Sequence, residues 1–223
     1  MICGMSQRIP SRTGRRLLAT GGAVFALALT ACTPPGQPSP EPPGPGTPPP
    51  PTPETTGAEQ QGNTFSGTLV APGGQGGAFT YNPQLAPNGA RVEATIQGSP
   101  QATTVQFQAS GLQPNRGYAV HAHVNACGPT GDAAGPHFQN RQDPAATPDS
   151  PSSDPAYANP QNEIWLDLHT DAQGAGSATA QVPFGFTERA PKSIVLHEAE
   201  HTSSGPGQAG QAGGRAACLN IES

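Results

Sequence analysis

The sequence has 223 residues, of which 29 are glycine and 28 are proline, while only 11% are charged and 5% are aromatic. An average soluble domain carries about 25% charged residues. Long amphipathic helices and coiled coils are excluded, because glycine and proline interrupt every stretch long enough to form them. The low charge and the lack of basic runs also argue against a nucleic-acid partner. The composition leaves one small, turn-rich domain next to an extended segment.

Residues 1–31 have the pattern of a signal peptide. Four arginines precede a short apolar run over residues 23–29, and there is no acidic residue before Cys32. The run is shorter than the ~20 residues that span a membrane, so an export signal is predicted instead of a transmembrane helix. It ends in Leu29-Thr30-Ala31-Cys32, which resembles a bacterial lipobox, in which the cysteine becomes the lipidated first residue. An ordinary signal peptide with a chance cysteine is the alternative, and one arginine pair leaves twin-arginine export open.

Residues 32–60 are predicted to form a proline-rich, disordered stalk. Twelve of the 24 residues from 33 to 56 are proline, a composition that favours the extended polyproline II conformation of a semi-rigid spacer. A ligand for a proline-binding module is the alternative. Without residues 1–31, six basic residues face fifteen acidic ones, a net charge of −9. The expectation is an extracytoplasmic protein attached to the cell membrane through Cys32 alone, since an acidic chain is repelled by anionic headgroups.

Residues 61–223 are predicted to form an all-β domain. Short alternating or β-branched stretches recur between turn residues, which is typical of an antiparallel sandwich or barrel. The predicted strands cover residues 64–70, 90–96, 103–109, 117–123, 163–169, 176–182 and 193–197, with a weaker one at 78–81. Two long segments, 125–162 and 198–214, lack strand patterns. Long loops on a β scaffold often carry function, so the site is expected there.

Four histidines form the strongest chemical signal. His121 and His123 are two residues apart on a predicted strand, so both imidazoles project from one face. His137 follows a Gly-Pro pair in the first long loop, and His197 closes an apolar strand. A single histidine is usually a surface or hydrogen-bonded residue, but this combination predicts a metal site. Several imidazoles without a spare thiolate suit copper or zinc.

Five motifs around these histidines resemble the copper/zinc superoxide dismutase family. They follow that family's order across most of residues 62–223. They are Gly111-Leu112-Gln113-Pro114 with His121-Ala122-His123, then Cys127, Gly135-Pro136-His137-Phe138, Val195-Leu196-His197-Glu198, and Gly213-Gly214-Arg215-Ala216-Ala217-Cys218. The resemblance implies a Greek-key antiparallel β-barrel or sandwich, with the metal held outside it between two long functional loops.

The resemblance also implies roles for individual residues. His121, His123, His137 and His197 would bind copper, and His137 would in addition take up a proton on reduction. Arg215 would dock the superoxide anion at the metal, since a guanidinium stabilises the developing negative charge. The implied activity is conversion of superoxide to oxygen and hydrogen peroxide. Cys127 and Cys218 match the family's disulfide, and export supplies the oxidising compartment that a disulfide needs.

The sequence departs from the family at the zinc site. No histidine lies between His137 and His169, where the family has two more ligands. Carboxylates in this region could supply oxygen ligands but not the missing imidazoles. They are Asp143, Asp149, Asp154 and Glu163. His169 aligns with an ordinary strand residue, so the sequence predicts a copper-only member.

The loop from residue 198 to 214 departs from the family as well. It lacks lysine and the aspartate that links the metal ligands, so we expect weak steering of superoxide. Candidates for orienting a ligand imidazole in its place are Glu198, Glu200 and His201. A non-enzymatic copper-binding or copper-delivery domain on the same fold therefore stays open beside the enzyme. The sequence predicts no oligomeric state.

Overall fold

The structure is a computed structural model that describes residues 62–147 and 149–222. Within this part of the chain there are ten strands and one 3₁₀ turn at Gly131–Ala134. The strands are β1 (Asn63–Thr68), β2 (Ala78–Thr80), β3 (Arg91–Ser99), β4 (Ala102–Ser110), β5 (Gly117–Tyr118), β6 (Val120–His123), β7 (Leu168–His169), β8 (Gly176–Val182), β9 (Ser193–His197) and β10 (Arg215–Asn220). The predicted signal peptide, Cys32 and the stalk lie outside the described residues. No helix among the described residues has the length and apolarity to cross a membrane.

The strands form two four-stranded antiparallel sheets and one short pair. The first sheet has the order β1-β3-β4-β8 and the second β2-β10-β9-β6, while β5 pairs with β7. The chain leaves β4 for β5 and β6, and returns to the first sheet only at β8, which pairs with β4. Crossovers of this kind are typical of Greek-key sandwiches. The predicted all-β antiparallel fold is confirmed.

The core lies between the two sheets and follows the two-residue alternation of the strands. Along β4, Val105 and Phe107 are buried, while Gln106 and Gln108, which alternate with them, are exposed. Tyr118 is also fully buried, and its hydroxyl donates to the backbone carbonyl of Leu85 at 2.6 Å. That bond satisfies a polar group that would otherwise be costly to bury.

The extents of two predicted strands were wrong, and one strand was missed. The stretch 117–123 is broken at Ala119, whose backbone N–H donates to Ala199 instead of continuing one ladder. The stretch 163–169 is a strand only at Leu168–His169. The last strand, Arg215–Asn220, was not predicted, because its four central residues are all buried and show no alternation.

The Cys127–Cys218 disulfide is present, as the resemblance implied. It joins β10 to the beginning of the long connection between β6 and β7, across 91 residues of sequence. Closing a loop of this length restricts the unfolded chain strongly. The bridge therefore fixes the first long loop to the strand that begins with Arg215.

We predict that replacing both cysteines by serine lowers the free energy of unfolding by about 4 kcal/mol, because the unfolded chain regains the entropy of a 91-residue loop. Urea unfolding of the metal-free variant and parent under oxidising conditions measures the difference. Reduction of the parent by dithiothreitol should reproduce it, while the reductant should leave the variant unchanged. Equal midpoints and slopes for parent and variant would contradict this prediction.

Candidate metal centre

Strands β6 and β9 place three of the four histidines. Val120 and Ala122 enter the core, so His121 and His123, which alternate with them on β6, lie on the opposite face of the sheet. His197 is the last residue of the neighbouring strand β9. The same-face spacing predicted from the sequence is present in the structure.

The fourth imidazole, His137, comes from the long connection after β6. His137 forms an isolated bridge with His123, and the backbone N–H of Phe138 donates to the carbonyl of Ala122 at 2.8 Å. The Phe138 side chain is buried in the core. Phe138 thus anchors this loop to the core, and the preceding residue, His137, is held above the strand that carries His123.

The four imidazoles lie together as one cluster. Ring centroids are 4.0 Å apart for the closest pair, His121 and His137, and 5.5 Å apart for His137 and His197. One nitrogen from each ring lies within 4.8 Å of the others. Imidazole nitrogens about 2 Å from a common divalent ion lie about 3–4 Å from one another, so the cluster could hold a metal ion.

Backbone carbonyls fix two of the rings. The Nδ1 of His123 lies 2.9 Å from the carbonyl of Gly135, and the Nδ1 of His197 lies 3.5 Å from that of Gly213. A carbonyl only accepts, so both Nδ1 atoms carry the proton and both Nε2 atoms keep a lone pair. These two Nε2 atoms face each other at 3.2 Å. Two lone pairs at this distance repel unless a cation or a proton lies between them.

His121 is held through its other ring nitrogen, Nε2. Its Nε2 lies 2.7 Å from the hydroxyl of Thr202. Its Nδ1 is the one buried side-chain polar atom of the described residues that has no hydrogen-bond partner. Buried polar groups are nearly always paired, so the free lone pair of this nitrogen is available as a metal ligand inside the cluster.

Glu163 binds the outer nitrogen of His137. Its Oε2 accepts the Nδ1–H of His137 at 3.0 Å and the indole N–H of Trp165 at 2.7 Å, while its Oε1 accepts the amide of Gln139 at 2.8 Å. The carboxylate is 2% exposed. Three donors therefore hold one buried carboxylate against the most exposed imidazole of the cluster.

Burial keeps three of the imidazoles neutral. Desolvation, followed by the charge that a protonated His137 would carry, lowers the pKa of His197 to about 3. The same causes, in the same order, hold the pKa of His121 and of His123 well below the ordinary value. Neutral imidazole is the form that binds a metal ion, so at neutral pH these rings are ready to coordinate.

Arg215 lies at the edge of the cluster. It is directly opposite His197 in the β9–β10 ladder, and its Nη1 and Nη2 donate to the carbonyls of Gly131 and Gly135 at 2.6 and 2.7 Å. Gly131 has to be small, because a Cβ there would come within 2.7 Å of the Cβ of Arg215. The Gly135 carbonyl also accepts from His123. One carbonyl therefore couples the guanidinium to a ring of the cluster.

A cleft of about 770 Å³ leads to the cluster. His137, His197 and Arg215 line it, and so do the carboxylates of Asp143 and Asp149 from the first long loop. The approach to the site therefore combines one fixed cation with acidic groups.

The three residues predicted to orient a ligand do not do so. Glu198, Glu200 and His201 are all exposed to solvent after β9 ends. The Glu198 carboxylate accepts from the side chain of Asn82 instead. The chain turns outward here, and Thr202 is the residue of this loop whose side chain reaches the cluster.

The orienting residues that the sequence reasoning missed follow a readable pattern. Ile164, Leu166 and Leu168 enter the core. The residues that alternate with them lie on the side of the histidines; they are Glu163, Trp165 and Asp167. The two-residue period of this segment is the signal, although from the sequence it is used only to predict a strand, and Glu163 is considered only as an oxygen ligand for zinc.

The other zinc candidates do not meet at His137. Asp143 accepts from the hydroxyl of Ser152, and Asp154 accepts the backbone N–H of Ala156. Asp149 lines the cleft, and His169 is exposed on β7. Glu163 is the one candidate carboxylate that reaches a cluster imidazole.

No protein-family model and no curated protein matches the chain. Among solved structures, it is similar to "Cu/Zn superoxide dismutase from Brucella abortus" (TM-score 0.44, 18% identity, covering 73% of this chain and 100% of that one). It is also similar to a double mutant and a single mutant of a superoxide-dismutase-like protein from Bacillus subtilis. The TM-scores are 0.41 and 0.40, with 15% and 14% identity, covering 59% of this chain in both cases and 88% and 90% of those.

These structural neighbours are copper/zinc superoxide dismutase and superoxide-dismutase-like proteins. The motifs of the sequence resemble the same family. At such low identity the similarity concerns the fold, and the chemistry has to be argued from the residues of this chain.

Proposed function

We propose that the protein is a superoxide dismutase that uses a single copper ion held by four histidines. The observation that carries this proposal is the pairing of a four-imidazole cluster, three of whose rings are buried, with one fixed guanidinium at its open edge. Ligands alone would serve any copper protein. A cation held beside them, in the wall of an accessible cleft, is what an anionic substrate requires.

The residues fit copper. Two Nε2 lone pairs that face each other and an orphaned Nδ1 on His121 all point to a cation within the cluster. An all-imidazole set without thiolate or carboxylate suits copper in both oxidation states. His121 would bind through Nδ1, and His123, His137 and His197 through Nε2. Bound copper supplies the one-electron couple that turns superoxide into oxygen and hydrogen peroxide.

Arg215 would bind the substrate anion in this proposal. Its two carbonyl contacts fix the guanidinium without neutralising it, because carbonyls carry no net charge. Donors of the same guanidinium that do not contact these carbonyls are left for an anion. The side chain can therefore attract superoxide and orient it toward the imidazoles.

We propose further that the second metal of the family is absent and that Glu163 takes over its contact with His137. Zinc would need the Nδ1 of His137, which the carboxylate already engages at 3.0 Å. The neighbours of Glu163 are Gln139 and Trp165, which are hydrogen-bond donors and cannot complete a zinc site. The buried carboxylate would keep the ring in one tautomer and would compensate the positive charge of the ring when His137 gains a proton.

One observation favours copper carriage instead of catalysis. Asp143 and Asp149 line the same cleft as Arg215, and carboxylates there attract cations and repel superoxide. A copper-delivery domain would gain from this arrangement. It would have no use for Arg215, and the variant test below separates the two functions.

We expect the purified protein to hold about one copper and no stoichiometric zinc per chain when both metals are offered. Elemental analysis after dialysis measures the content. Trp165 is the only tryptophan and its ring centroid lies 5.7 Å from that of His121, so binding of paramagnetic Cu(II) should quench its fluorescence. Zinc added to the copper-loaded protein should find no tight second site. One tight zinc per chain in addition to copper would contradict the single-metal proposal.

We expect Arg215→Ala to lower the rate of superoxide decay roughly ten- to a hundred-fold at equal copper content. Losing a charge-assisted contact of about 1.5–3 kcal/mol has this effect on a rate. The assay is pulse radiolysis of copper-loaded protein.

Arg91→Ala is the matched control for that assay. It removes the same charge from an exposed residue of β3, in the other sheet, and it should leave the rate within about twofold. Superoxide that decays as fast with Arg215→Ala as with the parent would favour copper carriage over catalysis. So would superoxide that decays no faster with the parent than in buffer without copper.

We also propose that the domain acts outside the cytoplasm, anchored to the membrane by a lipid on Cys32. The disulfide is consistent with an oxidising compartment. Cys32→Ser should release the protein from the membrane fraction or leave an unprocessed precursor, as judged by fractionation and mass. A variant that is processed and fractionates like the parent would contradict the lipid anchor.

A further inference from the structure

The hydroxyl of Thr202 lies between His121 and a carboxylate. Its Oγ1 is 2.7 Å from the Nε2 of His121 and 2.6 Å from the Oδ1 of Asp167. The ring nitrogen and the carboxylate are themselves 4.0 Å apart, which is too far for a direct hydrogen bond. The threonine therefore spans the gap between them.

A proton count determines the direction of both bonds. Thr202 has one hydroxyl proton, and a carboxylate oxygen can only accept. If the hydroxyl donated to His121, two oxygen lone pairs would face each other at 2.6 Å. The hydroxyl must therefore donate to Asp167, and the Nε2–H of His121 must donate to the hydroxyl. This assigns the proton of the ring to Nε2 and leaves the lone pair on Nδ1, which is the orphaned atom inside the cluster.

The acceptor at the end of this chain is itself fixed. The Oδ2 of Asp167 accepts the backbone N–H of Thr202 at 2.7 Å, and its Oδ1 accepts the backbone N–H of Val120 at 3.2 Å. Asp167 thereby joins the 198–214 loop to the strand that carries His121. Both the hydroxyl and the backbone of Thr202 are tied to one carboxylate, so the threonine cannot turn away without breaking two bonds.

We propose that Thr202 is a positioning residue for His121. It holds the ring in the tautomer and orientation that present Nδ1 to the other three imidazoles, and it couples the folding of the 198–214 loop to metal binding. The proposal rests on the proposed function only in taking the cluster as a copper site. It assigns to a neutral hydroxyl, backed by a carboxylate, a task that the sequence had suggested for Glu198, Glu200 or His201.

Histidine ¹⁵N NMR tests the assignment without any metal. In the metal-free parent, purified as the full protein in detergent and labelled at histidine, the ring shifts of His121 should show the proton on Nε2. In Thr202→Val, which keeps the shape but removes the hydroxyl, the two tautomers should become mixed. Thr202→Ser should restore the parent spectrum. A parent ring protonated at Nδ1, or a valine variant with the parent's spectrum, would overturn the proposal.

Copper binding tests the consequence. Removing the hydrogen-bond partner of a metal-binding histidine typically lowers metal affinity about 10–100-fold. Thr202→Val should therefore bind Cu(II) about that much more weakly, and its electron paramagnetic resonance spectrum should differ from that of the parent. Thr202→Ser should match the parent in both, and circular dichroism should show all three proteins folded. Equal affinity and equal spectra in parent and valine variant would overturn the proposal. So would a serine variant as weak as the valine one, because the methyl group would then be what matters.

The two readouts separate this inference from the proposed function. If the parent binds copper but does not decay superoxide, dismutation fails while the affinity series still tests Thr202. If the parent binds no copper, the copper site fails and the tautomer measurement still decides whether Thr202 orients the ring.

Discussion

Four imidazoles that each bring one nitrogen within 4.8 Å of the others impose the main constraint on this structure, because every ring has two nitrogens and only one can face the centre. The outer nitrogens are buried and need partners. The chain supplies two backbone carbonyls, one buried carboxylate and one hydroxyl. Three of these acceptors come from the two long loops and the carboxylate, Glu163, directly follows the first, so loops without regular structure become fixed parts of the site.

The backbone carbonyls that hold the imidazoles also fix the position of Arg215. The carbonyl of Gly135 accepts from both Arg215 and His123, so the guanidinium and one imidazole of the cluster share one atom of support. The loop that offers this carbonyl begins at the disulfide to β10, and β10 begins with Arg215 itself. Stability and site geometry are therefore linked through one covalent bridge.

In the role proposed for Glu163, a carboxylate takes the position beside His137 that a second metal ion would occupy. A metal ion and a carboxylate hold an imidazole in different ways, the first at its lone pair and the second at its N–H. Either one fixes the plane of the ring. In this chain the carboxylate is itself fixed by an indole and an amide, which keeps a buried negative charge compensated by hydrogen bonds.

The sequence by itself determined the β class and the same-face pair His121 and His123, because strand period is a local property. The pairing of Cys127 with Cys218 was implied by the resemblance of the motifs to a family and not by a local pattern. The sequence also contained the alternation that places Glu163 and Asp167 on the side of the histidines, but it did not show which residues they contact. The tertiary structure alone decided that Thr202 bridges His121 to Asp167, that Glu163 meets His137, and that the exposed Glu198, Glu200 and His201 meet no ligand. These contacts join residues 26–81 positions apart through loops whose path depends on the packing of the whole domain, and no local pattern encodes that path.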